Sequence, residues 1–196
     1  MTRRLAALSL VLLAGGCATL PARAPVDDWP ARRAALQALN AWAFDGRIAV
    51  AAGEDGFSGG FDWEQAGERA DVVLSGPMGG SAMTIQVVGD DAAVSVRGEE
   101  LSGEDGEALF ARYFGADRSL PIAEMRYWLV GVPAPDSPHE ATLGADQRLA
   151  SLSQAGWQVR YDRYEPVGPL ALPARMELTT ASLRLRVSVS NWRVPP

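Results

Sequence analysis

The sequence contains no lysine, one cysteine and one histidine, and each shortage removes a class of function. A single cysteine excludes an internal disulfide, and a single histidine excludes metal sites built from several histidines. His139 lies beside Glu140 in a proline-rich stretch, where a solvated side chain is far more common than a catalytic base. No nucleophile elbow, phosphate-binding loop or dinucleotide-binding motif is present. We therefore expect no enzyme activity, no metal and no cofactor.

The charge balance and the composition limit the remaining classes. The formal net charge is −6, and all 18 basic residues are arginines. An acidic chain without a basic block argues against nucleic acid as the main partner. Hydrophobic residues make up 47% and charged residues 21%, which is enough apolar material for a packed core. With 196 residues, we expect one domain, over residues 29–196.

The N-terminus resembles the signal of a bacterial lipoprotein. Arg3 and Arg4 precede a short apolar run over residues 5–13, followed by small residues and then Cys17. The run is too short to span a bilayer as a helix. We expect cleavage of residues 1–16, acylation of Cys17 and a tether over residues 17–28. The alternative is an ordinary signal peptide in which Cys17 occurs by chance.

The remaining sequence alternates mainly with the period of β-strands. Residues 30–42 predict a helix, because apolar side chains recur on one face after a capping aspartate and a proline. Apolar and polar residues then alternate along segments that predict strands over 44–52, 57–64, 70–75, 82–88, 92–97, 156–164, 175–180 and 182–192. Helical spacing returns over residues 104–114 and 121–130. We expect turns at 53–56 and 99–107 and a long loop over 131–145.

These elements predict a mainly β fold with a few helices. Many strands with short turns form an antiparallel meander, and a flat sheet of this size would leave its apolar face in water. We therefore expect an incomplete, half-open antiparallel barrel whose helices plug an apolar cavity. The predicted cavity lining comprises Ile48, Val50, Phe61, Trp63, Val72, Leu74, Ile85, Val87, Val94, Leu185 and Val187 on strands, with Ile122, Met125 and Trp128 on the helical plug. The six tryptophans fit a dense core as well as a ligand cavity.

The connection over residues 76–80 is unusual because its centre is apolar. Met78 lies between Pro77 and Gly79, and no charged residue occurs near it on either side. A flexible, polarizable methionine at such a tip suits shallow insertion into a bilayer or contact with a partner. The alternative is that Met78 folds back into the core. Arg47, near the start of a strand, is likewise open to two interpretations, a surface residue or a hydrogen-bond donor across the cavity.

Several segments, taken in order and spacing, resemble the LolB family over nearly the whole chain. Trp42 precedes them, and the matching segments are GRIAV at 46–50, FSGGFDWEQ at 57–65, GPMG at 76–79, LPI at 120–122, YWLVGVPAP at 127–135, QAGWQV at 154–159, LPAR at 172–175 and NW at 191–192. The resemblance implies an incomplete antiparallel barrel closed by helices over an apolar cavity. It also implies a protruding loop with an apolar tip, where Met78 replaces the usual leucine.

The same resemblance implies the function and the partners. A LolB-like protein accepts lipoproteins from a soluble, LolA-like periplasmic carrier and inserts them into the outer membrane. We therefore expect a monomer that is lipid-anchored on the periplasmic face of that membrane and binds cargo acyl chains. Ala18, directly after Cys17, agrees with sorting to the outer membrane. The alternative is a structural envelope lipoprotein that acts as an assembly scaffold without binding lipid.

Overall fold

A computed structural model describes residues 28–76, 81–89, 91–96, 99–102 and 121–195. Two helices are described, α1 (Trp29–Gln37) and α2 (Ile122–Leu129). The strands are β1 (Ala41–Ala52), β2 (Asp55–Ala66), β3 (Arg69–Ser75), β4 (Ser81–Val88), β5 (Asp91–Val96), β6 (Glu99–Ser102), β7 (His139–Leu143), β8 (Leu149–Gln154), β9 (Trp157–Val167), β10 (Leu170–Thr179) and β11 (Leu183–Arg193). Neither described helix is both long and apolar enough to cross a bilayer.

All of these strands belong to one antiparallel sheet. Its order is β6-β5-β4-β3-β2-β1-β11-β10-β9-β8-β7, so that two meanders meet where β1 pairs with β11. Each strand pairs antiparallel with its neighbours, and β6 and β7 form the two ends of the sheet. The expected half-open antiparallel barrel is confirmed: the sheet curves around a core but is not closed.

The inner face of the sheet is apolar because the strands alternate regularly. In β11, for example, Leu183, Leu185, Val187 and Val189 are buried, whereas the residues between them are exposed or half-buried. The face continues onto β1 through pairs such as Ile48 with Val187. An aromatic cluster fills one end of the core, formed by Trp42, Phe44, Phe61, Trp63 and Trp192.

Gly59 shows how closely two strands approach on this inner face. A Cβ atom at Gly59 would lie 1.9 Å from the backbone oxygen of Ser75. The register between β3 and β4 shifts between Leu74 and Ser75, which is typical of a bulge. Glycine is therefore required by the neighbouring backbone at this point, at the end of β3 that precedes residues 77–80.

The prediction of the first helix was wrong at its C-terminal end, where the predicted helix is too long. The sequence predicts a helix over 30–42, but α1 ends at Gln37 and β1 begins at Ala41. Trp42 is thus a strand residue, opposite Gln65 and stacked on Trp63 at 5.9 Å between ring centroids. Cross-strand aromatic packing outweighs the local helical spacing here.

Two predicted irregular segments contain edge strands, and a third strand was missed. The predicted loop over 131–145 includes β7, and the predicted solvated turn over 99–107 includes β6. β8 was also not predicted. The middle of β7 is exposed, so it lacks the apolar alternation that marks a strand in the sequence. The predicted helix over 121–130 is confirmed as α2, whereas the one over 104–114 lies outside the described residues.

Candidate functional site

The predicted cavity lining converges on a narrow apolar gap between the sheet and α2. Strands β1 to β4, together with β11 and α2, contribute side chains to it. The gap is lined by Ile48, Val50, Phe61, Trp63, Val72, Leu74, Ile85, Ile122, Met125 and Leu185. Every one of these side chains was predicted to line the cavity. None is polar apart from the indole N–H of Trp63, which donates to Gln65 Oε1 at 3.0 Å.

This gap is too small for a ligand in the described conformation. The space open to the centre of a water-sized sphere is ≈ 10 Å³, at the lower limit for a single water molecule. The side chain of Met125 is fully buried, whereas that of Ile122, one turn earlier in α2, is half-buried. These two side chains would have to move away from the sheet before any ligand could enter the gap.

The C-terminal end of α2 is held to the other half of the sheet. Trp128 Nε1 donates to Gln154 Oε1 at 2.8 Å, and the Tyr161 hydroxyl donates to the Trp128 carbonyl oxygen at 2.9 Å. Burial raises the pKa of Tyr161 well above its ordinary value, so its hydroxyl keeps the proton it donates. The helix is thus anchored at Trp128, away from Ile122 and the gap.

Gln154 also fixes the segment that follows α2. Its Oε1 accepts from Ala134 N at 2.9 Å, and its Nε2 donates to the carbonyl oxygens of Ala134 and Ser137 at 2.9 and 3.0 Å. The side chain is 2% exposed, and its amide makes hydrogen bonds with all of these partners. Gln154 belongs to the QAGWQV segment of the family resemblance, but the sequence analysis assigned it no structural role, because β8 was missed and its inward positions were therefore unknown.

A second, more polar hollow also borders Ile122. Its volume is ≈ 280 Å³. The apolar and amide side chains along it include Ala70, Val87, Ile122, Tyr127 and Gln65, and the carboxylates are Glu68, Glu124 and Asp136. Ile122 borders both the hollow and the apolar gap, so an outward movement of its side chain would join the two spaces.

Four predicted lining residues lie elsewhere. Val87 borders the polar hollow. Val94 is buried opposite Ile85, and Val187 is buried opposite Ile48. Trp128 lies 6.3 Å from Trp157, measured between ring centroids, on the β8–β9 side of the core. The structure therefore separates a compact lining group from residues that belong to the surrounding core.

The remaining predicted site residues are outside the described part of the chain or on the surface. Cys17, Pro77, Met78 and Gly79 lie outside the described residues. Arg47 is exposed and so does not reach across the interior. His139 is half-buried on β7, with Nδ1 3.3 Å from the carbonyl oxygen of Ser137. Within the described ranges, no group of three or more His, Cys, Asp or Glu side chains is arranged to hold a metal ion.

Solved structures share this fold of an open antiparallel barrel with a helix packed against its apolar interior. A LolA superfamily protein from Nitrosomonas europaea aligns with a TM-score of 0.55 and 9% identity, over 86% of this chain and 94% of that one. A putative outer membrane lipoprotein-sorting protein domain from Vibrio parahaemolyticus aligns with a TM-score of 0.53 and 6% identity, over 85% and 90%. At these identities the likeness concerns the fold alone.

Sequence comparisons identify the family. The family model "Outer membrane lipoprotein LolB" matches residues 40–192. Outer-membrane lipoprotein LolB of Ectopseudomonas mendocina is 34% identical, over 98% of this chain and 97% of the relative. The corresponding protein of Pseudomonas aeruginosa is 36% identical, over 96% and 94%. The chain belongs to the LolB family of outer-membrane lipoproteins, and the resemblance noted in the sequence is confirmed.

Proposed function

We propose that this protein accepts acylated lipoproteins from a LolA-like periplasmic carrier and inserts them into the outer membrane. The observation that carries the proposal is the convergence of apolar side chains from five strands and α2 on one gap. Family membership and the LolA-superfamily fold support it. Such transfer needs binding and release rather than bond chemistry, so we propose no catalytic role for any residue.

The physical need for a protein in this step follows from the hydrophobic effect. Three acyl chains of about 16 carbons, at ~0.8 kcal/mol per CH₂, represent roughly 38 kcal/mol of exposure to water. Release of cargo into the periplasm is therefore negligible. Transfer must run between apolar sites, and its direction must follow increasing affinity from the carrier to this protein and then to the bilayer.

The acyl-chain site in this proposal is the gap itself, opened by a movement of α2. The helix is hydrogen-bonded at Trp128, whereas its first turn contributes only the apolar side chains of Ile122 and Met125 to the gap. Lifting the first turn exposes the inner faces of β1 to β4 and keeps the hydrogen bonds at Trp128, while the hydrogen bond from Arg126 Nη1 to the Gly67 carbonyl oxygen at 3.3 Å has to break. The hollow beyond Ile122 then provides the route of entry.

Two further parts of the proposal concern residues outside the described ranges. Acylated Cys17 anchors the protein on the periplasmic face of the outer membrane. The cysteine carries two or more acyl chains in this proposal, because a single chain does not anchor a protein stably. Met78, flanked by Pro77 and Gly79, enters the bilayer when cargo is released. Residues 1–16 are removed as the signal, and residues 17–28 form the tether.

Photo-crosslinking tests the acyl-chain site. A photoreactive phenylalanine analogue replaces Phe61, which lines the gap, or Trp157, which is equally buried but lies outside it. Cargo whose acyl chain carries a radioactive label is transferred from the carrier, and the sample is irradiated. We expect labelled adducts from position 61 and none above background from position 157.

Folding of both variants is checked by circular dichroism before transfer. Adducts at neither position, with folded protein and intact carrier, would refute the acyl-chain site. That result would favour the alternative function of a structural envelope lipoprotein that acts as a scaffold. Adducts of equal yield at both positions would show that acyl chains occupy a different, wider region than the gap.

A further inference from the structure

The outer face of the sheet carries a row of exposed arginines at one level of the barrel. Arg47 on β1 is opposite Ser188 on β11, Ser188 is opposite Arg175 on β10, and Arg175 is opposite Arg163 on β9. We call Arg47, Arg175 and Arg163 the arginine row. With neighbouring strands about 4.8 Å apart, the row extends over about 15 Å.

Among the described residues the arginine row has no carboxylate partner, in contrast to the arginines beside it. At the next level, Glu177 lies among Arg160, Arg184 and Arg186, and its carboxylate is 2.8 Å from Arg186 Nε. No member of the row forms an ion pair within the part of the chain that the structure describes. Three positive charges are thus left on the surface of a protein whose net charge is −6.

The row is continuous with the base of the connection between β3 and β4. On its other side Arg47 is opposite Gly60, which is opposite Ser75. A Cβ atom at Gly60 would lie 3.3 Å from Ser75 Cβ, so the two residues share this face. Ser75 is two strands from Arg47, about 10 Å. The residue between Arg47 and Arg175 is the small Ser188, and Gly60 and Ser75 on the other side of Arg47 are small as well.

A line of three guanidinium groups fits an extended anionic surface better than a single anion. Each guanidinium matches a phosphate through two parallel hydrogen bonds, and the two ends of the row, about 15 Å apart at the backbone, can bind separate phosphates. The remainder of this acidic protein is repelled by such a surface, so the row determines which face approaches it.

We propose that the arginine row binds the anionic phospholipid headgroups of the membrane that carries this lipoprotein. The inference rests on the proposed lipid anchor. Cys17 is only eleven residues before Asp28, a reach of about 40 Å at most. The anchor thus keeps headgroups within reach of the barrel at all times, and binding through the row turns the β1–β11–β10–β9 face towards the bilayer.

Energy transfer on reconstituted vesicles tests this orientation. The acylated protein with Ser190→Cys carries a donor dye at that exposed β11 position, and the acceptor dye is attached to lipid headgroups. Vesicles contain phosphatidylcholine alone or with 30 mol% phosphatidylglycerol. We expect stronger transfer on the anionic vesicles at about 50 mM salt and its loss at about 500 mM, where the Debye length is only a few ångströms.

A triple variant should abolish the increase in energy transfer on anionic vesicles. It carries the substitutions Arg47→Gln, Arg163→Gln and Arg175→Gln. Each arginine near an anionic surface raises the binding constant by a factor of about five. Removing three of them should therefore lower the ratio of docked to undocked protein on the order of 100-fold. The matched control is Arg33→Gln, Arg69→Gln, Arg148→Gln, which removes the same charge from positions outside the four strands of the proposed face. Thermal melts followed by circular dichroism establish that both variants are folded.

Three results would overturn the inference. The first is energy transfer that does not depend on phosphatidylglycerol, and the second is an equal loss in the control variant. The third concerns the triple variant of the arginine row: an unchanged dye-to-bilayer distance together with a loss of cargo transfer from the carrier. That result would assign the row to a protein partner. Cargo delivery into neutral vesicles is measured separately, and its absence in the wild type would contradict the proposed function without affecting the orientation readout.

Discussion

At the scale of single residues, Gln154 holds the C-terminal end of α2 in place. It connects β8 to Trp128 at the end of the helix and to Ala134 in the following segment. Since all of these groups are buried, each loses its hydrogen bonds with water on folding. The amide of Gln154 provides the replacement hydrogen bonds. A buried glutamine has no signature in an alternating pattern, which is why this contact required the tertiary structure to be found.

Gln154→Leu should destabilise the protein by about 2–4 kcal/mol. The substitution leaves the Trp128 indole N–H and the Ala134 amide buried without acceptors, and this costs more than the average hydrogen bond contributes. The melting temperature should fall by roughly 5–10 °C in a thermal melt. Gln158→Leu is the control, because Gln158 is exposed on β9 and donates only to Ser153 Oγ at 2.8 Å. Similar melting temperatures for the two variants would contradict the anchoring role.

At the scale of elements, the outer face of β9, β10 and β11 is held together by charge as well as by backbone pairing. Glu177 is in the middle strand, opposite Arg160 on one side and Arg186 on the other. The hydrogen bond from Arg186 is the main reason that the pKa of Glu177 lies below its ordinary value, and the charges of Arg184, Arg186 and Arg160 lower it further. The carboxylate therefore stabilises the folded state when it is ionised.

The pH dependence of Glu177→Gln follows from the direction of that shift. Because the folded-state pKa is lowered, the stabilisation is present above the unfolded pKa of about 4.3 and is lost as the pH falls through the folded value. At pH 7 we expect a loss of at most about 1 kcal/mol, since the arginines are largely exposed. Urea unfolding at pH 7 and pH 3 should show the difference between variant and wild type shrinking at the lower pH.

Glu140→Gln provides the comparison for that experiment. Glu140 is exposed on β7 and forms no ion pair with any residue in the described ranges. Its substitution should change stability by no more than a few tenths of a kcal/mol at either pH. A Glu177 effect that grows, rather than shrinks, on acidification would show that another group on this face is responsible.

Elements were predictable to different degrees because burial differs between strands. Central strands such as β11 alternate fully between core and solvent, so their identity and their inner faces follow from the sequence. β7 is an end strand with an exposed centre, and it therefore lacks that alternation. The early end of α1 has a different cause, since Trp42 gains more from packing against Trp63 and Phe44 than from a further helical turn.

At the scale of the whole molecule, the proposed delivery step joins the barrel to the bilayer through the connection over residues 76–80. The preceding residues are anchored in the sheet, with Ser75 opposite Gly60. A Cβ atom at Gly76 would meet nothing within 4 Å, so the chain enters open space where it leaves β3.

Met78→Glu should separate acceptance of cargo from its delivery. A charge at the tip opposes entry into apolar lipid, so delivery into liposomes should fall at least tenfold. Acceptance from the carrier and the melting temperature should remain at wild-type values, because the gap is unaffected. Cargo is counted on the protein and in the vesicles, and Met78→Leu serves as the control that preserves delivery.

Two results would contradict this role of Met78. A strongly lowered melting temperature in Met78→Glu would identify Met78 as a core residue, which is the alternative considered from the sequence. A folded variant that delivers cargo at the normal rate would show that the connection takes no part in insertion. In either case the acyl-chain site at Phe61 is tested independently by crosslinking.

The sequence by itself determined the mainly β class, the inward faces of the central strands and the family, because alternation and short motifs are local properties of the chain. It also placed together, on one inner face, the residues that line the gap. Only the tertiary structure decided the size of that gap, the anchoring of α2 by Gln154 and the alignment of Arg47 with Arg175. These features depend on the register between strands far apart in sequence, and a shift of one residue in the pairing of β1 with β11 would remove the arginine row while leaving every local pattern unchanged.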